Sequence, residues 1–413
     1  MKPNDQTRLL GELRPGLSVF VQGATGEPQG LIAALKSDPD RARGVCFTAP
    51  LIPGINRFDY AALHEEASMT AFMASDAWAQ TVRDGRTRLV PLSYSQTAAA
   101  IDASTFDLAV FQVTPPDADG LCSFGVSGDF PPLAWRRAKR RAGVFNPALP
   151  RPPRAETIPF DALDLALEDD APLLAAPETP PSAALVAIAE RVAALVPDGA
   201  AIQTGVGAAP AAILAALKHH RNLVIRSGLI TQGYRVLSEA GAFAPNTEHV
   251  AGVAYAAADL YAWLAQADLC AFASVTRTHE VAALAATQAF TAINSALEVD
   301  LYGQANLEWR SGRQVSGVGG APDFARAAMA SRGGRSIIAL PATAGAFSRI
   351  VARLTTPTVS LARHETDVIV TEHGVARLRG KTADERAEAL IAIAAPEHRG
   401  TLTEAWRDLS RRG

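Results

Sequence analysis

Short apolar runs alternate with longer, Ala-rich runs of helical spacing along the whole sequence. Strands separated by helices pair most readily as parallel βαβ units, so this alternation restricts the chain to an α/β architecture. Ser18–Gly23 (SVFVQG) reads as a strand entering a glycine turn, with a helical run over Gln29–Leu35 behind it. Phe106–Val113 (FDLAVFQV) reads as a second strand and leads into the Pro-Pro-Asp turn at Pro115–Asp117. Leu223–Ser227, Leu269–Ser274, Ser336–Leu340 and Val368–Thr371 are further short apolar runs, each near glycine or a helical stretch.

The length, 413 residues, suits more than one domain. Much of the proline falls between Pro147 and Pro181 (ALPRPPRAETIP, then APETPP), a stretch that also carries the acidic patch Glu168–Asp170. Proline fixes φ and disfavours helix, so this segment reads as a partly extended connection. Beyond it Ser182 is placed to N-cap a helix with Leu185, Ile188, Val192 and Leu195 on one face. The expected division is an N-terminal α/β domain over 1–180, including the Pro-rich connection near 147–180, and a C-terminal one over 181–413.

Charge and cysteine usage exclude several classes of function. Lys and Arg total 39 against 42 Asp and Glu, giving a formal net charge of −3 and no general field for nucleic acid or an acidic membrane. Trp135–Arg141 (WRRAKRR) is a basic run that could attract phosphate groups, but without a second basic patch it reads as a solvated helix face. Cys46, Cys122 and Cys270 are far apart and form no CxxC pair, which indicates buried thiols in a reducing compartment rather than a disulfide framework or zinc site. The polar N-terminus lacks the apolar stretch of a signal peptide. The Ala-rich stretch Val250–Ala267 is interrupted by Asp259, short of the ~18 apolar residues of a membrane span. A cytoplasmic protein with no nucleic-acid or membrane partner and no metal is expected.

Three Gly-bearing segments could carry chemistry. Gly205-Val206-Gly207-Ala208-Ala209-Pro210 lies between a strand and a helix. Such a loop is either a tight βα turn or a place where backbone N–H groups hold an anion, and Pro210 suits the first helical turn. It is neither a dinucleotide fingerprint nor a Walker loop. Gly317, Gly319 and Gly320 precede a helical run, and Thr343–Arg349 follows the strand ending at Leu340. Three such loops point to a shared crevice at the strand ends. Among acids, Glu372 stands at a strand end beside His373, while Glu298 and Asp300 share a face, with Gln304 and Asn306 as potential partners. His219 and His220 are adjacent on a helix and cannot readily chelate one ion.

Taken together these segments resemble the acetyl-CoA hydrolase/transferase family. In the N-terminal half the resemblance rests on Gln112–Asp129 (QVTPPDADGLCSFGVSGD). In the C-terminal half it rests on QTGVGAAP, AINSALEVDLYGQAN, SGVGGAPDFARAA, LPATA, SRIV and IVTEHGVARLRG. The resemblance implies two similar CoA-transferase-like α/β domains with the active site at their interface. It also implies coenzyme A as acyl-CoA substrate, a small carboxylic acid as partner, and a homodimer. By the same resemblance Gly205, Gly207, Pro210, Gly317, Gly319 and Gly320 fall in loops that hold CoA. Gly320 would offer an oxyanion N–H, and Glu372 matches an auxiliary glutamate near the reacting centre.

One position departs from the family pattern. The family's nucleophilic glutamate sits in a segment that reads here Ile225-Arg226-Ser227-Gly228-Leu229-Ile230-Thr231-Gln232-Gly233, so Gly228 stands in its place and Arg226 where the family often has histidine. Three expectations follow. The first is an acyl-CoA enzyme, a CoA-transferase or acyl-CoA hydrolase, working without that glutamate. Glu372 is then the candidate nucleophile or base, and Arg226 a candidate for binding a substrate carboxylate. The second is a non-catalytic CoA-ester binding protein. The third is an ordinary transferase using Glu280 or Glu298.

Overall fold

The computed structural model describes residues 1–176 and 180–411. It divides into two compact units: Met1–Pro177 with Val250–Thr278 and Val315–Gly317, and Glu178–His249 with His279–Gln314 and Val318–Gly413.

The first unit is built on seven parallel strands: β1 (Ser18–Val21), β2 (Cys46–Thr48), β3 (Ser68–Ala71), β4 (Thr87–Leu89), β5 (Phe106–Val113), β6 (Ala138–Phe145) and β7 (Leu165–Glu168). Their order is β4-β3-β2-β1-β5-β6-β7. Alternate residues of a strand point to opposite faces. Val19, Val21, Leu108 and Val110 enter a cluster with Leu31, Leu35 and Trp78, whereas Phe20, Ala109 and Phe111 enter another with Ile101, Phe124 and Phe130. Because helices cover both faces, these strands read as continuous apolar runs rather than alternating ones. The two clusters correspond to that doubly covered sheet.

The second unit repeats the plan. β8 (Ala201–Thr204), β9 (Val224–Ile230), β10 (Thr291–Asn294), β11 (Arg335–Ala339) and β12 (Val368–Thr371) are parallel neighbours in the order β9-β8-β10-β11-β12, and β13 (Gly374–Arg377) adds an antiparallel edge. Ser182 caps the helix Ala183–Ala193, its Oγ accepting the Leu185 N–H at 3.4 Å, and Ile188 and Val192 are buried as the spacing predicts.

Several segments differ from the sequence expectation. A chain-order division near 180 would leave Val250–Thr278 in the second unit, yet it is counted with the first. Its strand Val250–Ala254 is tied there by backbone bonds, Ala254 N–H to Val126 O at 2.8 Å and Gly128 N–H to Gly252 O at 3.0 Å. Val275 N–H donates to Asp129 O at 2.9 Å, and Arg154 to Asp268 at 2.5 Å. The Pro-rich connection is also more ordered than expected. Thr157–Pro159 pairs with Leu121–Ser123, and β7, in a proline-free part of the stretch, closes the sheet and buries Leu165 and Leu167. Residues 177–179 of that stretch lie outside the described residues.

The basic run is the end of the helix Pro131–Arg137 and the start of β6, not one helix face. Its charges are spent locally: Arg137 on Asp102, Lys139 on Asp107, Arg140 on Glu12, and Arg141 over the Trp135 ring. Cys122 and Cys270 are buried thiols pushed up to about 11 and about 12 by desolvation, but Cys46 is exposed at the start of β2. Among the described residues no helix is long and apolar enough to cross a membrane.

One buried acid gives the first unit a pH dependence. Asp129 is 4% exposed, and burial raises its carboxyl to about 7 despite backbone N–H donors. In an unfolded chain an aspartate ionises near 3.9. The folded protein therefore holds the extra proton between about pH 4 and about pH 7, and stability falls as pH rises through that window. Asp129→Asn is expected to be more stable than wild type at about pH 8 by on the order of a few kcal/mol. The difference should shrink towards pH 4, as measured by urea midpoints across the range.

Candidate active site

Parallel strands deliver all their C-terminal ends to one edge, and ligands of α/β sheets collect where neighbouring crossovers diverge. In the second unit that point lies beyond β8, because the chain goes next to β9 on one side and later to β10 on the other. Gln203 and Asn294, buried at the ends of β8 and β10, exchange amide hydrogen bonds of 3.4 and 3.5 Å across it. The loop following β8 is Gly205-Val206-Gly207. Gly207 caps the helix Ala208–Ala216 with φ +114°, a conformation that side chains rarely adopt, and no atom lies within 4 Å of a Cβ added at either glycine. Pro210 is buried in the first turn of this helix.

The second helix start is at Gly320, which caps Ala321–Ala330 and whose carbonyl accepts the Phe324 N–H at 3.1 Å. Gly319 precedes it with φ +55°. Gly317 is different in character. It belongs to the first unit, where an added Cβ would meet Met73 Cγ and Phe72 O at 3.0 Å, so glycine there permits close backbone packing.

β9 runs straight through Gly228 to Ile230. A Cβ on Gly228 would meet His279 Cε1 at 3.0 Å and Nε2 at 3.1 Å. A Cβ on Gly320 would meet His279 Cδ2 at 2.6 Å, with Nε2 nearer still. The His279 imidazole thus fills the space between two residues without side chains, its ring 4.4 Å from that of Phe324. The residue is 2% exposed, and desolvation lowers its pKa to about 3, so the ring is neutral. Arg226 shares the strand face of Gly228 by i, i+2 spacing. Its Nη1 donates to Glu248 O at 2.6 Å and to Ile225 O at 3.3 Å, which anchors the guanidinium on backbone carbonyls. His249 Nδ1 accepts the Ile225 backbone N–H at 3.0 Å while Nε2 bonds Ala244 O at 3.1 Å, which fixes the tautomer protonated at Nε2.

Glu372 stands at the C-terminal end of β12, one oxygen accepting the Ala342 N–H at 2.8 Å and the other 3.9 Å from His373 Nε2. Its side chain is 19% exposed. Thr343–Ala344 and Phe347–Ser348 form a hairpin beyond β11, with Phe347 at 79% exposure. The structure therefore brings Gly228 and Gly320 together around His279 and leaves Glu372 apart from them. From β9 to β12 there are four strand steps, about 19 Å at ~4.8 Å each.

The remaining acids have structural partners. Glu280 caps the helix Val281–Ala286, Glu298 accepts from Asn306 Nδ2 at 3.1 Å, and Asp300 from Gln304 Nε2 at 2.8 Å. His220 bonds the carbonyls of Ala193 and Val196. Among the described residues no group of three His, Cys, Asp or Glu side chains is placed to hold a metal. His279 is the residue that sequence reasoning missed. It lies in no motif, and its contacts join segments about 40–50 positions apart, so a lone histidine carried no signal.

The family model for the acetyl-CoA hydrolase/transferase C-terminal domain matches residues 257–406. The 4-hydroxybutyrate coenzyme A transferase of Clostridium kluyveri is 34% identical, the alignment covering 93% of this chain and 92% of that protein. Among solved structures, RipA from Yersinia pestis superimposes with a TM-score of 0.91 at 27% identity, covering 98% of this chain and 97% of that one. The 4-hydroxybutyrate CoA-transferase from Porphyromonas gingivalis gives 0.81 at 28% identity, covering 99% and 97%.

The two glycines of the first loop should respond differently to alanine. Gly207→Ala forces a side chain into φ +114° and is expected to cost roughly 1–3 kcal/mol. Gly205→Ala meets no atom and no positive φ, so its urea midpoint should stay near wild type.

Proposed function

Because the chain belongs to the CoA-transferase/acetyl-CoA hydrolase family, we propose that it acts on acyl-CoA thioesters without a covalent intermediate at residue 228. The observation that supports this reading is that the Gly205–Gly207 loop, the helix start at Gly320 and Glu372 all lie along the C-terminal edge of one parallel sheet. Helix N-termini offer unpaired N–H groups to anions, which suits a phosphate-bearing thioester. We assign Gly205, Gly207, Pro210, Gly319 and Gly320 to the loops that hold coenzyme A; Gly317, packed on Phe72 and Met73, is left out of that set. Gly320 and Arg226, which lie with Gly228 four strand steps from Glu372, are assigned to holding the CoA ester rather than the carbonyl that reacts at Glu372. The small carboxylic acid that accepts the acyl group or CoA, and a cytoplasmic homodimer, belong to the same proposal on family grounds.

The departure at Gly228 decides the chemistry. A glycine cannot form the acyl anhydride, so the carboxylate assigned to the reaction is Glu372. The Ala342 N–H holds one of its oxygens and leaves the other for the substrate side. Acting as nucleophile, that oxygen bonds the acyl carbon and the CoA thiolate leaves. Acting as base, it takes a proton from water, the water oxygen bonds the acyl carbon, and the departing thiolate recovers the proton. Borohydride trapping followed by peptide mass spectrometry separates these routes, since only the first modifies Glu372.

The same glycine favours a second reading, a CoA-ester binding protein without turnover. Thiol release and exchange should be measured with acetyl-, propionyl- and succinyl-CoA, with and without acetate. The enzyme reading expects turnover that falls about 100-fold or more in Glu372→Gln. Saturable CoA-ester binding with no turnover of any thioester, unchanged in that variant, would establish the binding protein instead.

A further inference from the structure

The glycine at 228 and the histidine at 279 are sterically one feature. A Cβ at 228 would lie 3.0 and 3.1 Å from the imidazole, closer than a relaxed contact, with Phe324 Cε2 behind it at 3.6 Å. The ring cannot retreat towards the helix Ala321–Ala330, because Gly320 already has no room for a Cβ on that side. Nor is Phe324 free to withdraw, since it is 3% exposed and packs with Phe290 and Ala328. Interiors packed this closely make a neighbour's displacement costly.

We propose that His279 is the specificity-determining partner of residue 228: its imidazole occupies the volume through which a side chain at 228 must pass. The pair Gly228–His279, rather than the glycine alone, closes this position to covalent carboxylate chemistry. His279 acts through residue 228 and the Gly320 helix start, so its role is one of positioning. The covalent part of this inference rests on the acyl-CoA reading above; the steric part does not.

Two measurements test it. Wild type, Gly228→Glu, His279→Ala and the double variant are incubated with acetyl-CoA and succinyl-CoA, reduced with borohydride, and mapped by peptide mass spectrometry. The double variant is expected to carry a reduced residue 228 at ten-fold or greater occupancy over Gly228→Glu alone. Equal labelling of the two overturns the proposal. If neither is labelled, or the glutamate variants do not fold, thermal melts of Gly228→Ala, Gly320→Ala and His279→Ala, singly and paired, decide the matter. Each glycine-to-alanine change should lower Tm in the presence of His279 and lose at least half of that effect in its absence. Strictly additive shifts overturn the proposal. The melts need no thioester, so coupled shifts in a protein without turnover would sustain this inference while the acyl-CoA reading failed.

Discussion

Parallel pairing forces every strand of a sheet to finish on the same edge, and the candidate site depends on that constraint. In the second unit it brings the ends of β8 to β12 to one edge without any of those segments being neighbours in sequence. Helices that return the chain must then start at this edge, so Ala208–Ala216 and Ala321–Ala330 both turn their N-termini there. The glycines at 207 and 320 follow from geometry. One supplies a positive φ at a helix start, and the other leaves room for an imidazole.

The two units solve the same packing problem in related ways. In each, an amide side chain crosses the point where strand order reverses. Gln203 meets Asn294 in the second unit, and in the first Gln22 accepts the Gln112 N–H at 2.9 Å and donates to Ser127 O. Polar groups buried at such a place need partners, and the reciprocal amides supply them.

Much of this was legible in the chain itself. Phe106–Val113 and Val368–Thr371 form strands over the expected residues because both faces are covered and their apolar runs are unbroken. Ser182 caps its helix as its position predicted. The long connection was harder: prolines on both sides marked the whole stretch as extended, although β7 between them is proline-free and its two buried leucines carry the edge of the sheet. Charge density says nothing about where a helix ends and a strand begins, so the basic run does not reveal from sequence that it spans two elements.

By itself the sequence determined the α/β class, the positions of most strands, the glycine loops and the family. Each of these depends on local periodicity or on residues close together in the chain. Tertiary structure decided what those residues are used for. It set Glu372 four strands from Gly228, gave Glu280 to a helix cap, and placed His279 between two glycines. Contacts of that kind arise from strand order and packing, which bring residues from distant segments into the same few ångströms.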